Sequence, residues 1–577
     1  MKTQSAAARI SWASIASIFG FALAAFGMVS FDWSAARAQD ADPKAKAKAA
    51  IKNALEIRKN KKADNAAPAV LRQVPGAGKK LDQAALTKII DDEIAIRLKS
   101  EKLQASGRSD DAEFLRRLSL DLVGTIPSAD EVVAFLDSKD PAKRSKMIET
   151  LLADPRFGKF QGEIWTGILL PRESNNRQLD PKPLVDWFAD RFNKNTPVNQ
   201  IVFDLLTSKG TQEENGAVTY FVANPTVDKM TDTATRMFLG VQLQCAQCHN
   251  HPFTDWKQAE YWGMAQFFMK VRLTANPQQA AKKGVSPGIV ENSAPFQKKN
   301  ALPESAMKVK AKFLGAEEPG LAPAEPYRPV LAQWMCSPQN PYFAKAMVNR
   351  FWHHFYGRGL INPVDDMHEN NLPTHPELLD ALTEQFKTSN FDVRYLVRSI
   401  CNSETYQRTS RPAAGNDDDR EFYSHRLVRA MLPEQLFESV VAVTGRDQIS
   451  RKGPLVPMIQ KKGNVSPREQ FINFFRLSDE PDLLEYQAGI PQALRLMNSN
   501  VTNSLGATIA RSIKTAGAND PEKMIEQIYL TGLSRRPSAD ETRRLVSYVR
   551  EHPANPVAAY TDILWSILNS SEFVLNH

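Results

Sequence analysis

An all-α fold of two helical domains is what this sequence predicts, and three observations carry that reading. Apolar residues recur at helical spacing through most of the chain, beginning with Leu86, Ile89, Ile90, Ile94 and Leu98. Capping residues stand just ahead of several of these runs, with glycines just after them. One long stretch rich in Pro, Lys and Gly, with little periodicity, interrupts the pattern at 276–325. A chain of 577 residues has room for two or three cores. The expected layout is therefore a helical domain over 81–275, an irregular linker over 276–325 and a second helical domain over 326–577.

Taken in order, the helix over Asp82 to Leu98 is followed by a second through Phe114 to Leu122, broken at Gly124-Thr125-Ile126-Pro127. Ser128 and Glu131 form a capping box that starts the next helix. The letters PSADE recur near the other end, where Ser538 and Glu541 repeat the device. A good cap used twice explains so short an identity better than an internal repeat does. Past the linker, Asn340-Pro341 opens a helix through Met347, Phe351 and Phe355 that Gly357 closes. Thr374 and Glu377 read as another capping box, with His375 serving that turn, and Asp392 caps a helix that carries Cys401 on its apolar face.

The N-terminus differs from the rest. Lys2 and Arg9 precede an uncharged apolar run from Ile10 to Phe31, and Ala36-Arg37-Ala38 offers a small-x-small cleavage site. Residues 1–38 thus read as a signal peptide, with an uncleaved anchor as the competing reading, and either one sends the body of the protein out of the cytoplasm. The net charge of +8 is local: eleven Lys or Arg against two acids lie between Pro43 and Lys80. Residues 39–80 form a basic Ala/Lys-rich tail suited to a solvated tether, or to peripheral contact with anionic lipid or a cell-surface polymer. Residues 81–577 sum to about −1, so nucleic acid is set aside as a partner.

Four cysteines do not make a disulfide framework in a chain this long. Two of them fall in Cys245-Ala246-Gln247-Cys248-His249, the spacing of covalent haem attachment. Thiols three positions apart on one turn can reach the two vinyl groups of a haem, and His249 would then sit beneath the iron as proximal ligand. Two rivals stay open: a local Cys245–Cys248 disulfide, and a metal site that adds His251, although four ligands within seven residues is tight for zinc. No sixth iron ligand is legible, since Met264 and Met269 at helical spacing suit a core. His251 is too close in sequence to reach the opposite face.

The segments FLRRLSLDLVGTIPSADEV (114–132) and FLGVQLQCAQCHNHPFTDWKQAEYWGMAQFF (238–268) resemble the cytochrome-like domain of unknown function abundant in planctomycete bacteria. NPYFAKAMVNRFWHHFYGRGLINPVDDM (340–367), PTHPELLDAL (373–382), NSETYQRTS (402–410) and EYQAGIPQALRLMNS (485–499) resemble the partner domain of unknown function that follows it. The resemblance covers about 85–575 and implies an exported protein with a Cys-x-x-Cys-His motif, kept here at Cys245, Cys248 and His249. Some members add an N-terminal cytochrome c domain, where this chain has the Lys-rich tail. A small residue is common in the family near His368, and Met367-His368-Glu369-Asn370 departs from that pattern.

Among other polar residues, Asp365, Asp366, His368 and Glu369 form a compact cluster that could bind a divalent cation or supply a general base. Solvated loop carboxylates are the commoner outcome. Adjacent His353 and His354 point about 100° apart on their helix and suit a satisfied core or interface. Cys336 and Cys401 could pair or both be buried thiols. The leading expectation is an exported c-type-haem redox or electron-transfer protein, with an unidentified redox partner. The alternatives are a non-enzymatic helical binding module with a local disulfide or metal site at Cys245 and Cys248, and a metal-assisted hydrolase of extracellular polysaccharide centred on Asp365, Asp366 and His368.

Overall fold

A computed structural model describes residues 78–170, 179–275, 284–291, 304–445, 467–475, 505, 508–509 and 520–577. The signal or anchor, nearly all of the basic tail and the 485–499 motif lie outside them. Among the described residues the protein is mostly helical, and no helix is long and apolar enough to cross a membrane.

Helix α1 (Gln83–Ser100) starts where the Asp82 carboxylate accepts from Ala85 N at 2.8 Å, and it buries Leu86, Ile90, Ile94 and Leu98. Its backbone is tied at once to the far half of the chain, since Leu81 N donates to Gln385 Oε1 at 2.8 Å. Helix α2 (Asp111–Val123) is buried on every side, with Arg116, Arg117 and Asp121 among its shielded residues. Helix α3 (Ala129–Asp137) carries the expected capping box: Ser128 and Glu131 exchange bonds through backbone and side chain. The Ser538–Glu541 box forms in the same way.

Helices α4 (Pro155–Leu169) and α5 (Lys182–Asn193) pack closely because Gly158 and Gly162 face α5. A Cβ at Gly162 would lie 2.5 Å from the Val185 carbonyl, so only glycine allows this approach. Further along come α6 (Val227–Ala234), continued by a π-helical turn over Thr235–Leu239, and α7 (Gln258–Ala265).

The fold is not purely helical. Strands β1 (Gly210–Thr211), β2 (Val271–Ala275) and β3 (Gly288–Glu291) make an antiparallel sheet in the order β1-β3-β2, so the stretch expected to be an irregular linker holds the central strand. Strands this short do not show a period of two in the sequence. A second ribbon pairs β4 (Arg429–Ala430) with β5 (Leu575–Asn576).

Helix α8 (Phe343–Tyr356) begins after Asn340, whose Oδ1 accepts from Tyr342 N and Phe343 N at 2.9 Å each, and it ends at Gly357. Helix α9 (Pro376–Thr388) does not have the expected capping box. Its N-cap is His375 without a side-chain cap bond, and the Thr374 hydroxyl turns to the Leu360 carbonyl at 3.3 Å. Proline at the first helical position already removes one donor that the cap would satisfy. Helix α10 (Val393–Asn402) is capped by Asp392 as expected. Cys336 and Cys401 are free, buried thiols, and burial holds both in the protonated form by pushing their ionisation well above the usual thiol range.

One hydrophobic core runs from Leu86 through the α8 aromatics to Tyr423. A second gathers Leu436, Phe437, Ile525, Ile563 and Leu564, and it also takes Leu120 and Ile126 from the α2–α3 corner. At that corner Asp121, wholly buried, accepts from Tyr406 Oη at 2.9 Å, from Asn576 Nδ2 at 2.7 Å and from Arg426 at 3.1 Å, and it also pairs with Arg429. His354 Nε2 donates to the Asp121 carbonyl at 2.8 Å. His353 and His354 are half-buried, and desolvation holds their ionisation down to about 3 and about 4.

Candidate functional site

The approach to the Cys-x-x-Cys-His motif is set by Gly240, whose φ of +69° ends the π-helical turn in the left-handed conformation. Val241 and Leu243 then bury themselves while Gln242 remains half-buried, and a 3₁₀ turn over Gln244–Gln247 carries Cys245. Ala246 points inward, so Cys245, Cys248 and His249 are all exposed. Both thiols are free.

Helix α7 holds the turn from one side. Gln258 Nε2 donates to the carbonyls of Gln247 (3.1 Å) and Cys248 (2.9 Å), and Trp262 Nε1 donates to Gln247 O at 3.1 Å. His249 Nδ1 lies 2.6 Å from the Asn250 carbonyl, which can only accept. In the neutral ring this contact puts the proton on Nδ1 and leaves Nε2 as the nitrogen with the free lone pair. His251 is used differently: its Nδ1 accepts from Phe253 N at 3.3 Å and Thr254 N at 3.1 Å, which orders the loop after the motif. Phe253 at its tip is 65 % exposed. Met264 and Met269 are buried in the core, away from any role as surface ligands.

The second cluster comes to the same place. Met367 N donates to Gly240 O at 2.8 Å, and Asp365, buried, takes Gln242 Nε2 at 3.1 Å and faces Arg236 at 3.5 Å. Asp366, His368 and Glu369 all act electrostatically on His251, whose ionisation is lowered chiefly by burial, with Asp366 and Glu369 opposing. His368 Nδ1 accepts from Asn370 N at 3.1 Å, and its Nε2 lies 3.5 Å from Asp366. Asp365 and Asp366 thus diverge: one turns inward to the motif segment and the other faces His368. Among the described residues no group of three or more His, Cys, Asp or Glu is placed to hold a metal ion.

Sequence reasoning missed a further pair behind the turn. Asp232 on α6 and Tyr261 on α7 act on each other's ionisation, and Tyr261 also feels Cys248. Asp232 Oδ1 and the Tyr261 hydroxyl are shielded from solvent, and neither has a well-formed hydrogen bond. Desolvation pushes the Asp232 carboxyl up to about 6 and raises Tyr261 as well. Nothing in the Thr231-Asp232-Thr233 run signals this, because an acid inside a helix reads as solvated.

A cleft of about 530 Å³ lined by Gln83, Asp91, Glu149, Arg398 and Glu404 lies elsewhere and includes none of these residues.

No curated protein and no solved structure matches the chain. Residues 89–273 match the family model described as a protein of unknown function, DUF1549 (PSCyt2), and residues 327–482 match a second described as a protein of unknown function, DUF1553 (PSD1). The motif turn falls in the first region and the Asp365–Glu369 loop in the second. The chain thus carries a region that matches DUF1549 followed by one that matches DUF1553.

Proposed function

We propose that this protein is an exported redox or electron-transfer protein that carries haem c on Cys245 and Cys248, with His249 as the proximal ligand. The observation that supports it best is the state of the donor set. Two unpaired thiols stand exposed on one turn, and the imidazole that follows is fixed by the Asn250 carbonyl with Nε2 open. A hydrogen bond from the far ring nitrogen is how a metal-bound histidine is usually oriented. The donors therefore fit the group, and exposed Phe253 adds apolar surface in the loop that follows them. When bound, the haem would supply one-electron redox chemistry. The chain's own residues orient that site: Gln258 and Trp262 fix the turn's carbonyls, and Asn250 fixes the histidine tautomer. Export rests on the signal-like residues 1–38, which would place the protein in the periplasm or at the cell surface.

The reading to set against it is a helical binding module that uses the same two thiols as a local disulfide or metal site, which their shared turn and exposure also suit. The hydrolase reading is weaker, because the Asp365 carboxylate is engaged by Gln242 and Arg236. The test is a pyridine haemochrome spectrum with intact mass, on full-length protein made with the cytochrome c maturation machinery. A c-type band and one haem of added mass, both lost in Cys248→Ser, are expected. Colourless protein at apo mass rejects the haem reading, and a loss of two hydrogens then identifies the disulfide.

A further inference from the structure

We infer that Asp365, reaching across from the DUF1553 region, is a positioning residue for the Cys245–His249 turn. Its functional meaning rests on the redox reading above; its geometry does not. The segment Gly240–Leu243 belongs to neither helix nor strand. Burial of Val241 and Leu243 holds it against the core, but apolar contact is non-directional and leaves rotation about the segment free. Three directed bonds remove that freedom. Val241 N donates to Thr235 O at 3.2 Å, Met367 N donates to Gly240 O at 2.8 Å, and Gln242 Nε2 donates to Asp365 Oδ1 at 3.1 Å. Two of the three come from the 365–367 loop.

Asp365 is only 7 % exposed, and a carboxylate so shielded persists where it is paired. Its other oxygen faces Arg236, on the π-helical turn that leads into Gly240. One side chain therefore grips both ends of the approach to the thiols. The contact is close because Gly240 has no Cβ: one there would meet Met367 Sδ at 2.9 Å and Ala346 Cβ at 3.2 Å.

The experiment uses the full-length apo protein and iodoacetamide, whose iodide is displaced as each thiolate sulfur forms its C–S bond. Alkylation rates of Cys245 and Cys248 are read separately by peptide mass, alongside a urea midpoint for each variant. Asp365→Ala is expected to change the ratio of the two rates by roughly tenfold, the scale on which orienting partners act on a site. Asp365→Asn, which keeps an acceptor for Gln242 but loses the charge towards Arg236, should fall between. Gln242→Leu should move the ratio in the same direction as Asp365→Ala with little change in urea midpoint, and it carries the test if Asp365→Ala does not fold.

An unchanged ratio in folded Asp365→Asn and Gln242→Leu overturns the inference. A change in both rates that merely follows the urea midpoint overturns it too, since it would mark a structural residue only. In haem-loaded protein, Asp365→Asn should also shift the reduction potential. If the wild type takes up no haem, the redox reading fails while the alkylation ratio still decides the role of Asp365.

Discussion

The Asp121 corner and the Cys245–Thr254 turn are both dense in polar groups, yet they are built on opposite terms. At Asp121 the charges are shielded and paired with one another: Arg426, Arg429, Tyr406 and Asn576 converge on one carboxylate drawn from the other half of the chain. At the turn the thiols and His249 are exposed, the backbone is braced by Gln258 and Trp262, and only Nδ1 of His249 among the reactive groups is bonded, to the Asn250 carbonyl. Removing one partner of a buried pair leaves the other charge shielded and uncompensated. Exposed donors on a braced backbone keep their lone pairs for something else. The contrast separates a structural cluster from a candidate site without reference to any relative.

The largest expected effect is on the interior side of this contrast. His353, His354 and His375 hold folded-state ionisation at about 3, about 4 and about 3, below the ordinary value of 6.5, each chiefly through desolvation. Unfolding lets them take protons at the ordinary value. Their contribution is therefore complete above pH 6.5 and is lost as pH falls towards 4. Each should cost about 2–3 kcal/mol by pH 4.5. Urea midpoints at pH 7.5 and 4.5 check this, and a flat profile would mean that these rings are hydrated.

Next comes Asp121→Ala, which strands Arg426 and Arg429 and should destabilise by about 3–5 kcal/mol. An effect below about 1 kcal/mol in denaturant titration would erase the distinction between the two regions.

Asp232 works in the other direction. Its carboxyl is raised from 3.8 to about 6, so the folded state favours the protonated form. That favour is full below pH 4 and disappears as pH rises through 6. Asp232→Asn should accordingly gain about 1–2 kcal/mol over the wild type at pH 8 and nothing at pH 4. A gain independent of pH would point to packing instead. The smallest effect belongs to the turn: Cys245→Ser should alter stability by less than about 0.5 kcal/mol, measured as a shift in urea midpoint. A larger loss would show that the thiol is structural after all.

Much of this was legible beforehand for definite reasons. The caps at Ser128, Asp392 and Ser538 act within three residues, so local sequence suffices to place them. Thr374 misled because its hydroxyl had a tertiary competitor, the Leu360 carbonyl, that no local rule contains. The cysteine motif stood out as a spacing, while Asn250, Gln258 and Trp262, which brace it, are ordinary residues until the turn is folded.

The sequence by itself determined the helical character, the helix starts and the three residues of the motif, because each depends on neighbours within a turn or two of helix. Only the tertiary structure decided that Asp365 and Met367 meet Gly240 and Gln242, more than a hundred residues away. It also decided that Asp232 and Cys248 both act on Tyr261, and that α2 from Phe114 to Val123 is buried. Contacts of that kind depend on how whole elements pack, and no periodicity in a chain encodes which distant surface will cover it.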